Sequence, residues 1–484
     1  MNDKQIKKII FGLRLRQLRQ QQELSFASLS ERTGIATSYL NEIEKGKKFP
    51  KEDKVILLAK ALNVSLDVLL TTELEPHFTP VKDLIKSDFL NELPLDIFGI
   101  DQSKVIDIIS NAPKKVGAFI STLLEAARSF AFREEHFYLR AMRAYQEMHY
   151  NYFEDIETET DKFIQHFQLM GIASTAQLET ILTQHFRCQI RNEALKQYPE
   201  LHRLKSVFVA NKRQLLLNKL NETQRRFQIA KELGFQYLQL AERPNTSTLL
   251  QVNSFEVALN NFKAAYFAVS LLVPRQLFLE DLAHFFSMPK WDAACLQQFL
   301  EKYNVSPETL FQRFNLAAHY FGLQQFFFIR VVHHLETDFF EIDKELHLAR
   351  RHRPHGNELQ EHYCRRWVAV SALRTIQREN KEVDVAVQRS KYMDSPDEYI
   401  CFTIARRGYA SSDNRNVSVT IGLLINEDAY EKIAFLKDKN IPQREVNITC
   451  ERCGIANCAE RAAPATVLKQ RQRRQQLLET LKKL

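Results

Sequence analysis

Three of the seven cysteines stand close together in the segment CERCGIANC at residues 450–458. Cys450 and Cys453 have the two-residue spacing that lets both thiolates bind one metal ion, and Cys458 follows them. A fourth ligand is needed, and we expect Cys364, because Cys401 stands in an apolar strand where a thiol is easily a core residue. The sequence leaves a structural zinc ion, an iron–sulfur cluster and metal-free buried thiols open as interpretations.

A second group of metal-binding side chain types occurs in FIRVVHHLETDFFE, which contains His333, His334 and Glu336. Further histidines follow along the chain (His347, His352, His355, His362). Adjacent residues of a strand or helix point to different sides, so neighbouring histidines cannot easily bind the same ion. We therefore interpret this run as a solvated, basic surface segment rather than as a metal site.

The composition indicates a globular and mainly α-helical protein. The 484 residues include 45% hydrophobic and 26% charged residues, with only 12 glycines, and this length allows about three or four domains. No apolar segment is long enough to span a bilayer, and MNDKQIKK lacks the apolar core of a secretion signal. We therefore expect a cytoplasmic protein without a membrane partner. In that reducing compartment, clustered cysteines serve metal binding rather than disulfide formation.

The net charge of +8 is modest for this length and matters where it is concentrated. One basic cluster lies between Lys4 and Arg32. A second lies in KQRQRRQQLLETLKKL at residues 469–484, of which residues 471–484 are predicted to form a basic helical tail.

Residues 1–75 are predicted to form a helix-turn-helix domain. Ser25 is a suitable N-cap for a short helix that ends at Gly34, where the turn needs a residue without a Cβ. A second short helix begins near Thr37 and ends at Gly46. Two short helices joined through a glycine turn are typical of DNA-binding helix-turn-helix motifs.

This stretch resembles the XRE or phage-repressor family of DNA-binding domains. The matching residues are Leu24, Leu29, Thr33-Gly34-Ile35, Ser38-Tyr39, Ile43-Glu44 and Gly46. The resemblance implies that the helix from Thr37 to Lys45 is the recognition helix. The implied DNA contacts are to base edges from Thr37, Ser38 and Asn41, and to phosphates from Lys45, Lys47 and Lys48. The remaining members of the predicted DNA-binding set are Arg14, Ser25 and Tyr39.

One residue departs from the XRE pattern. Phe26 stands where that family usually has a polar residue, often Gln, that contacts the DNA backbone. This departure puts that single contact in doubt and leaves the rest of the predicted interface unaffected.

Residues 81–215 are predicted to be a helical region, either TPR-like or a bundle. Its aromatic stripe recurs at helical spacing (Phe137, Tyr138, Ala141, Tyr145, Met148, Tyr152). Such a stripe is typical of a core or an oligomer interface.

The segment AKELGF follows a predicted strand and turn, and LNNFKAAYFAVSLLVP comes some thirty residues later. Both stretches resemble the ImmA/IrrE metallopeptidase family, which implies a degenerate zincin-like domain at residues 216–345. Where that family has its two histidine ligands and its acidic ligand, this chain has Lys231, Phe235 and Asn261, while Glu232 retains the position of the general base. A catalytic zinc ion needs three converging donors, so we expect no catalytic residues and no peptidase activity.

Residues 346–470 are predicted to form an α+β domain, because EYICFTIARRG and NVSVTIGLLIN alternate and are rich in β-branched residues. The segment resembles the C-terminal domain of the short-chain fatty acyl transcriptional regulators, through Cys364 with Trp367, the three clustered cysteines and Glu460-Arg461-Ala462-Ala463-Pro464. In that family an XRE domain is followed by a degenerate ImmA/IrrE-like domain and then by this cysteine domain, in the same order.

The sequence thus predicts a sequence-specific transcriptional regulator of acyl-CoA or central carbon metabolism. We expect it to bind double-stranded operator DNA, as a homodimer, and to respond to a small-molecule effector. The resemblance implies that this effector is an acyl-CoA or a related thioester. Two alternatives are a DNA-tethered metallopeptidase of the ImmA/IrrE type and a redox-sensing regulator that carries an iron–sulfur cluster.

Overall fold

The structure is a computed structural model that describes residues 3–71, 134–247, 254–347, 361–393, 395–408 and 415–483. The chain divides into two compact units: residues 1–145 with 251–255, and residues 146–250 with 256–484.

The first unit begins with a five-helix domain. Its helices are α1 (Asp3–Gln21), α2 (Phe26–Thr33), α3 (Thr37–Glu44), α4 (Glu52–Ala61) and α5 (Leu66–Leu70). Ser25 caps α2 by accepting a hydrogen bond from Ser28 N, and Gly34 ends it with a φ of 67° that favours glycine, as predicted. An apolar core formed by all five helices includes Leu15, Leu40 and Leu58, each with no exposed surface.

Helix α6 (Glu134–Met148) leads into the second unit. Within the aromatic stripe, Tyr138 and Tyr152 are buried and Met148 is 54% exposed, so the stripe is a core face over only part of its length. The side chain of Phe137 lies outside the described residues.

The first half of the second unit is a small sheet surrounded by helices. Its elements are α7 (Glu154–His166), α8 (Thr175–Thr180), β1 (Gln189–Arg191), β2 (Ser206–Val209), β3 (Gln214–Leu217), α9 (Glu222–Tyr237), α10 (Phe255–Leu272), α11 (Arg275–Ser287), α12 (Ala293–Tyr303), α13 (Pro307–Gln312) and α14 (Asn315–Tyr320). Strand β3 lies between β1, to which it is parallel, and β2, to which it is antiparallel.

The second half is built on a six-stranded sheet in the order β5-β4-β8-β7-β6-β9. Its elements are β4 (Phe326–His334), β5 (Phe339–His347), α15 (Val368–Arg378), β6 (Val383–Tyr392), β7 (Glu398–Arg407), β8 (Arg415–Leu424), α16 (Glu427–Lys432), β9 (Gln443–Val446) and α17 (Thr466–Leu481). Alternate residues of each strand face opposite sides. One side packs on α15 through residues such as Val331 and Cys401, and the other carries Phe402, which stacks on Trp291 at 5.3 Å.

These elements differ from the predicted organisation in three respects. Strands β4 and β5 pair into the C-terminal sheet, although they precede the predicted start of that domain at residue 346. Strands β1 and β2 lie inside residues 81–215, which were predicted to be helical. The described part of the structure is about 51% helix and 17% strand, so mainly α describes it only approximately. Short strands escaped prediction because three or four residues are too few to show an alternating pattern.

Among the described residues, no single helix is long and apolar enough to cross a membrane, and one pair, α10 with α11, passes that test together with a 68° bend between them.

Candidate functional site

Helix α3 presents the side chains that were predicted to read DNA. Thr37, Ser38 and Asn41 are exposed, whereas Leu40 and Ile43 on the opposite side of the helix are buried in the core. This division of the helix leaves its polar face free for the base edges of a major groove.

The position of α3 is fixed by its close contact with α1. A Cβ added to Gly12 would lie 2.3 Å from Ile43 O, so the two backbones approach to a distance that only glycine permits. Next to this contact, Arg19 forms a bidentate ion pair with Glu44, with Nε–Oε1 and Nη2–Oε2 distances of 2.6 and 2.9 Å. The guanidinium of Arg19 also lies 4.2 Å from the ring centre of Phe26. Phe26 therefore has a structural role here, which the sequence did not reveal.

The predicted phosphate contacts surround the end of α3. Lys47 and Lys48 are exposed, and Lys45 is half-buried. Lys48 pairs with Glu42 at 2.9 Å, and the hydrogen bond to this carboxylate raises the pKa of the lysine. Tyr39 is half-buried beneath Lys54, whose Nζ lies 4.4 Å from the ring centre.

Two members of the predicted DNA-binding set have contacts within the domain. Arg14 donates from Nε to Val68 O at 3.2 Å and from Nη1 to Gln17 Oε1 at 3.1 Å. Ser25 is exposed and serves as the N-cap of α2. A structural role therefore accounts for both residues, and their DNA contacts stay a prediction.

In the second unit, α9 carries the residues of the degenerate peptidase site. Lys231, Glu232 and Phe235 are buried, and Asn261 on the neighbouring α10 faces Lys231. Lys231 Nζ donates to Asn261 Oδ1 at 2.7 Å. The two replaced ligand positions are thus joined to each other by a hydrogen bond.

Arg243 completes this site, and the sequence did not point to it. Its guanidinium binds both oxygens of Glu232, with Nη1–Oε1 and Nη2–Oε2 distances of 2.8 and 2.6 Å. It also stacks on Phe235 at 3.7 Å and on Phe208 at 4.3 Å. The guanidinium of Arg243 therefore neutralises the carboxylate of Glu232, which stands at the position of the general base in the ImmA/IrrE pattern. No spacing rule connects an arginine in a loop with a helix eleven residues earlier, so only the structure could show this pair.

Little space remains around these groups. The cavity lined by Lys231, Glu232, Phe235 and Arg243 has a volume of about 20 Å³, which is room for about one water molecule. Burial, together with the positive charge of Arg243, lowers the pKa of Lys231 to about 7. A peptide substrate does not fit in a cavity of this size.

The cysteines predicted to bind metal come together in the C-terminal part of this unit. Cys364, Cys450 and Cys453 are buried, and Cys458 is partly exposed. Burial raises the pKa of the Cys364 thiol to about 11, and the proximity of Cys450 and Cys453 contributes to this rise. Cys401 is buried in the apolar core on β7, as predicted.

Backbone hydrogen bonds and an arginine hold this cysteine cluster. Cys364 N donates to Ile448 O at 3.0 Å, and Ala462 N donates to the sulfur of Cys450 at 3.4 Å. Arg461 donates to four carbonyl oxygens of the loop, including those of Cys450 and Cys453 at 2.9 and 3.1 Å.

The donor set matches a zinc or iron–sulfur site in residue type and location, and hydrogen bonds to sulfur are a feature of such sites. Across the described residues, however, no group of three or more His, Cys, Asp or Glu side chains is arranged to hold a metal ion. The thiols are thus gathered in one region without converging on one point.

The histidine run is only partly a surface segment. His333 is buried and stacks on Phe340 at 4.1 Å, whereas the adjacent His334 is 32% exposed and contacts Glu341. The prediction of a solvated run is therefore wrong for His333, because β4 is buried on both faces along most of its length and becomes more accessible only at its last residue, His334. His362 pairs with Glu451 at 2.8 Å, and His352 and His355 lie outside the described residues.

A larger, open cavity lies beside α7 and α9. Its volume is about 660 Å³, and its lining includes Lys162, His166, Phe167, His185 and Tyr237. The size is within the usual range for small-molecule pockets, and the lining combines aromatic rings with polar groups.

Comparison with known proteins identifies two parts of the chain. A family model described as a helix-turn-helix domain matches residues 10–71, and one described as an IrrE N-terminal-like domain matches residues 183–315. An uncharacterised HTH-type transcriptional regulator of Mycobacterium tuberculosis is 38% identical over 80 residues, which are 16% of this chain and 57% of the relative. The HTH-type transcriptional regulator YobD of Bacillus subtilis, also uncharacterised, is 42% identical over 57 residues, 12% of this chain and 51% of the relative.

These matches span little more than half the length of the curated relatives. A solved Mycobacterium tuberculosis transcriptional regulator aligns with 66% of this chain and 92% of its own, at 18% identity and a TM-score of 0.46, a level that supports no argument about the overall fold. The chain therefore carries an XRE-like helix-turn-helix domain followed by an IrrE N-terminal-like domain.

Proposed function

We propose that the protein is a sequence-specific transcriptional regulator that binds double-stranded operator DNA through α3. The observation that carries this proposal is the exposed row Thr37, Ser38 and Asn41 on a helix whose other side is locked into the core. The relatives of the helix-turn-helix domain, which are named as transcriptional regulators, support it. Because such domains commonly bind two half-sites, we further propose a homodimer.

In this proposal the IrrE-like domain is not a peptidase. Metal-dependent hydrolysis needs donors around an ion and a free carboxylate that deprotonates the bound water. Here Lys231 and Phe235 offer no ligand for a dication, and Arg243 occupies both oxygens of Glu232. The remaining cavity of about 20 Å³ also leaves no room for a peptide.

The domain instead serves to sense a small molecule, for which the open cavity of about 660 Å³ is the candidate pocket. By the resemblance to the short-chain fatty acyl regulators, the effector is an acyl-CoA or a related thioester, and the output is control of acyl-CoA or central carbon metabolism. Such an effector acts only if it binds the DNA-competent and DNA-incompetent states with different affinities.

The four cysteines complete the proposal as the ligands of a zinc ion or an iron–sulfur cluster. Either group would join Cys364 to the loop at Cys450–Cys458, and thus tie two distant parts of the chain. An iron–sulfur cluster would in addition make DNA binding sensitive to redox state or iron supply. Anaerobic purification separates the two, because a cluster absorbs visible light and a zinc site is colourless.

The central test is to recover and sequence the DNA bound by the full-length protein and then to measure affinity for the enriched site. Asn41→Ala is expected to reduce discrimination between that site and a mismatched duplex by about 1–3 kcal/mol. Lys47→Gln removes a phosphate contact and is expected to weaken binding to both duplexes equally. If no sequence is enriched, or if Asn41→Ala leaves discrimination unchanged, the proposed role of α3 is wrong.

The peptidase alternative has its own test. The full-length protein is incubated with candidate protein substrates and with added Zn²⁺, Mn²⁺ or Co²⁺, beside a Glu232→Gln variant. We expect no cleavage in either sample. Metal-dependent cleavage by the native chain that Glu232→Gln abolishes would overturn the assignment of a non-catalytic domain.

A further inference from the structure

The contacts that the described residues show between the C-terminal helix α17 and its unit lie near the first turn of the helix. Leu468 N donates to Glu451 O at 3.1 Å, and after this point every residue from 469 to 483 is exposed. None of the residues of α17 is buried. Isolated helices of this length are only marginally stable in water, so a helix with no packed face is stabilised further when it binds a partner.

The exposed part of α17 carries a strong positive charge. Four cations lie in the helix after Leu468 (Lys469, Arg471, Arg473, Arg474) and two follow its last residue (Lys482, Lys483), while Glu479 is the single acid between residues 469 and 483. Within the described part of the chain these six form no ion pair, whereas arginines such as Arg243 and Arg313 elsewhere in the same unit are paired with carboxylates. The helix therefore projects a net positive potential that no ion pair with another described residue neutralises.

The cations lie on two flanks of the helix. At 3.6 residues per turn, Lys469 and Arg473 fall on one flank, and Arg471 and Arg474 fall on the other. Leu468, which lies close to the cysteine loop, is on the side between them that faces the unit. The opposite side, turned toward solvent, thus has a row of cations along each edge.

We propose that α17 is a second, sequence-independent DNA-binding element, in which the two flanks contact the phosphate rows on either side of a groove. This inference rests on the proposed function, since it assumes that the chain binds DNA. Two parallel rows of phosphates match two rows of cations, and Gln470, which lies between the two flanks on the solvent side, can donate a further hydrogen bond.

A membrane surface matches this helix less well. Helices that lie on membranes need a continuous apolar face along their length. In α17 the exposed apolar residues Leu477, Leu478 and Leu481 are confined to the last part of the helix. The first turns beyond Leu468 carry arginine, lysine and glutamine on every side.

The test compares Arg473→Gln/Arg474→Gln, which removes one cation from each flank, with Lys437→Gln/Lys439→Gln. Lys437 and Lys439 are exposed on the same unit, so the control removes the same charge elsewhere. Glutamine keeps the helix propensity of arginine, and circular dichroism checks that α17 is retained. Affinity of the full-length protein for a 30-base-pair duplex of mixed sequence is measured by fluorescence anisotropy between 50 and 200 mM KCl.

We expect the double arginine variant to reduce the magnitude of the log–log salt slope by about 1.8, which corresponds to about 0.9 for each lost phosphate contact. An unchanged slope, or an equal reduction in the lysine control, overturns the inference. The same holds if the arginine variant instead loses binding to phosphatidylglycerol vesicles or changes only the oligomeric state. If the unmodified protein binds neither this duplex nor any enriched sequence, the proposed function fails, which is a different outcome.

Discussion

Replacing Lys231 by methionine tests whether the amine of Lys231 is buried at the position where the ImmA/IrrE family has a metal ligand. The pKa of Lys231 is lowered from 10.5 to about 7, mainly by burial and in part by the positive charges of Arg243, Lys344 and Lys205, while Glu232 acts in the opposite direction. Since the folded pKa lies below the unfolded value, the unfolded chain binds more protons between pH 7 and 10.5. The free energy of unfolding therefore rises with pH across this window, and below it the cost of the buried ammonium is constant.

The size of this effect follows from the two pKa values. Between pH 7 and pH 9 the folded state releases the Lys231 proton and the unfolded state retains it, which increases the free energy of unfolding by about 2 kcal/mol. Lys231→Met also leaves Asn261 Oδ1 without its hydrogen bond, but this loss does not depend on pH. The informative quantity is thus how much the difference in free energy of unfolding between wild type and variant changes from pH 7 to pH 9. The difference at a single pH is not informative.

In the assay the full-length protein is unfolded in urea, and unfolding is monitored by hydrogen exchange in peptides of α9. The exchange rates are corrected for the intrinsic rate at each pH. This readout follows the IrrE-like domain separately from the remainder of the chain. The control is Lys302→Met, which replaces an exposed lysine that pairs with Asp281. Its free energy of unfolding is expected to change with pH as that of wild type does. If the free energies of unfolding of wild type and Lys231→Met also change equally from pH 7 to pH 9, the ammonium of Lys231 is not buried and the reasoning fails.

Three further outcomes follow from other contacts. Gly12→Ala places a methyl group 2.3 Å from Ile43 O, so we expect it to destabilise the helix-turn-helix domain by about 1–3 kcal/mol and to lower DNA affinity; a melting temperature equal to wild type would contradict the close contact of α1 and α3. Glu157→Gln removes the carboxylate from a pair in which both side chains are 1% exposed and should cost about 3–5 kcal/mol in chemical unfolding, while a loss below 1 kcal/mol would show that Arg313 finds another partner. Cys364→Ser should abolish metal retention, measured by elemental analysis of the purified chain, whereas Cys188→Ser should not; equal metal content in both variants would exclude Cys364 as a ligand.

The sequence alone was sufficient to predict those features that neighbouring residues determine. Ser25 and Gly34 act within their own helix, so the boundaries of α2 could be predicted from residue type. The exposed face of α3 follows in the same way from the spacing of Leu40 and Ile43. The absence of both histidine ligands was also readable, because the residue types Lys231 and Phe235 stand directly in the sequence.

The remaining features depend on contacts between distant parts of the chain. Arg243 reaches Glu232 through a loop, and Arg19 covers Phe26 from another helix, so no periodicity reports either contact. The pairing of β4 with β8 joins residues far apart in sequence, so no local pattern could place these two strands in one sheet. The burial of His333 beside the exposed His334 likewise needed the strand to be recognised first.

The backbone hydrogen bonds around the cysteines bear on whether folding of the domain precedes metal binding. Tyr363 and Thr449 form a bridge, and Cys450 N donates to His362 O at 2.8 Å, so the two segments that carry the cysteines are joined by main-chain bonds. If the four cysteines bind a metal ion, as proposed, that ion would find Cys364 and Cys450 on segments that are already joined, and it would close no long loop from the unfolded chain. The polypeptide can therefore fold before the ion is bound, and loss of the ion would change the local rigidity of the loop without unfolding the sheet beneath it. Occupancy of the site would then follow the cellular supply of metal throughout the lifetime of the protein.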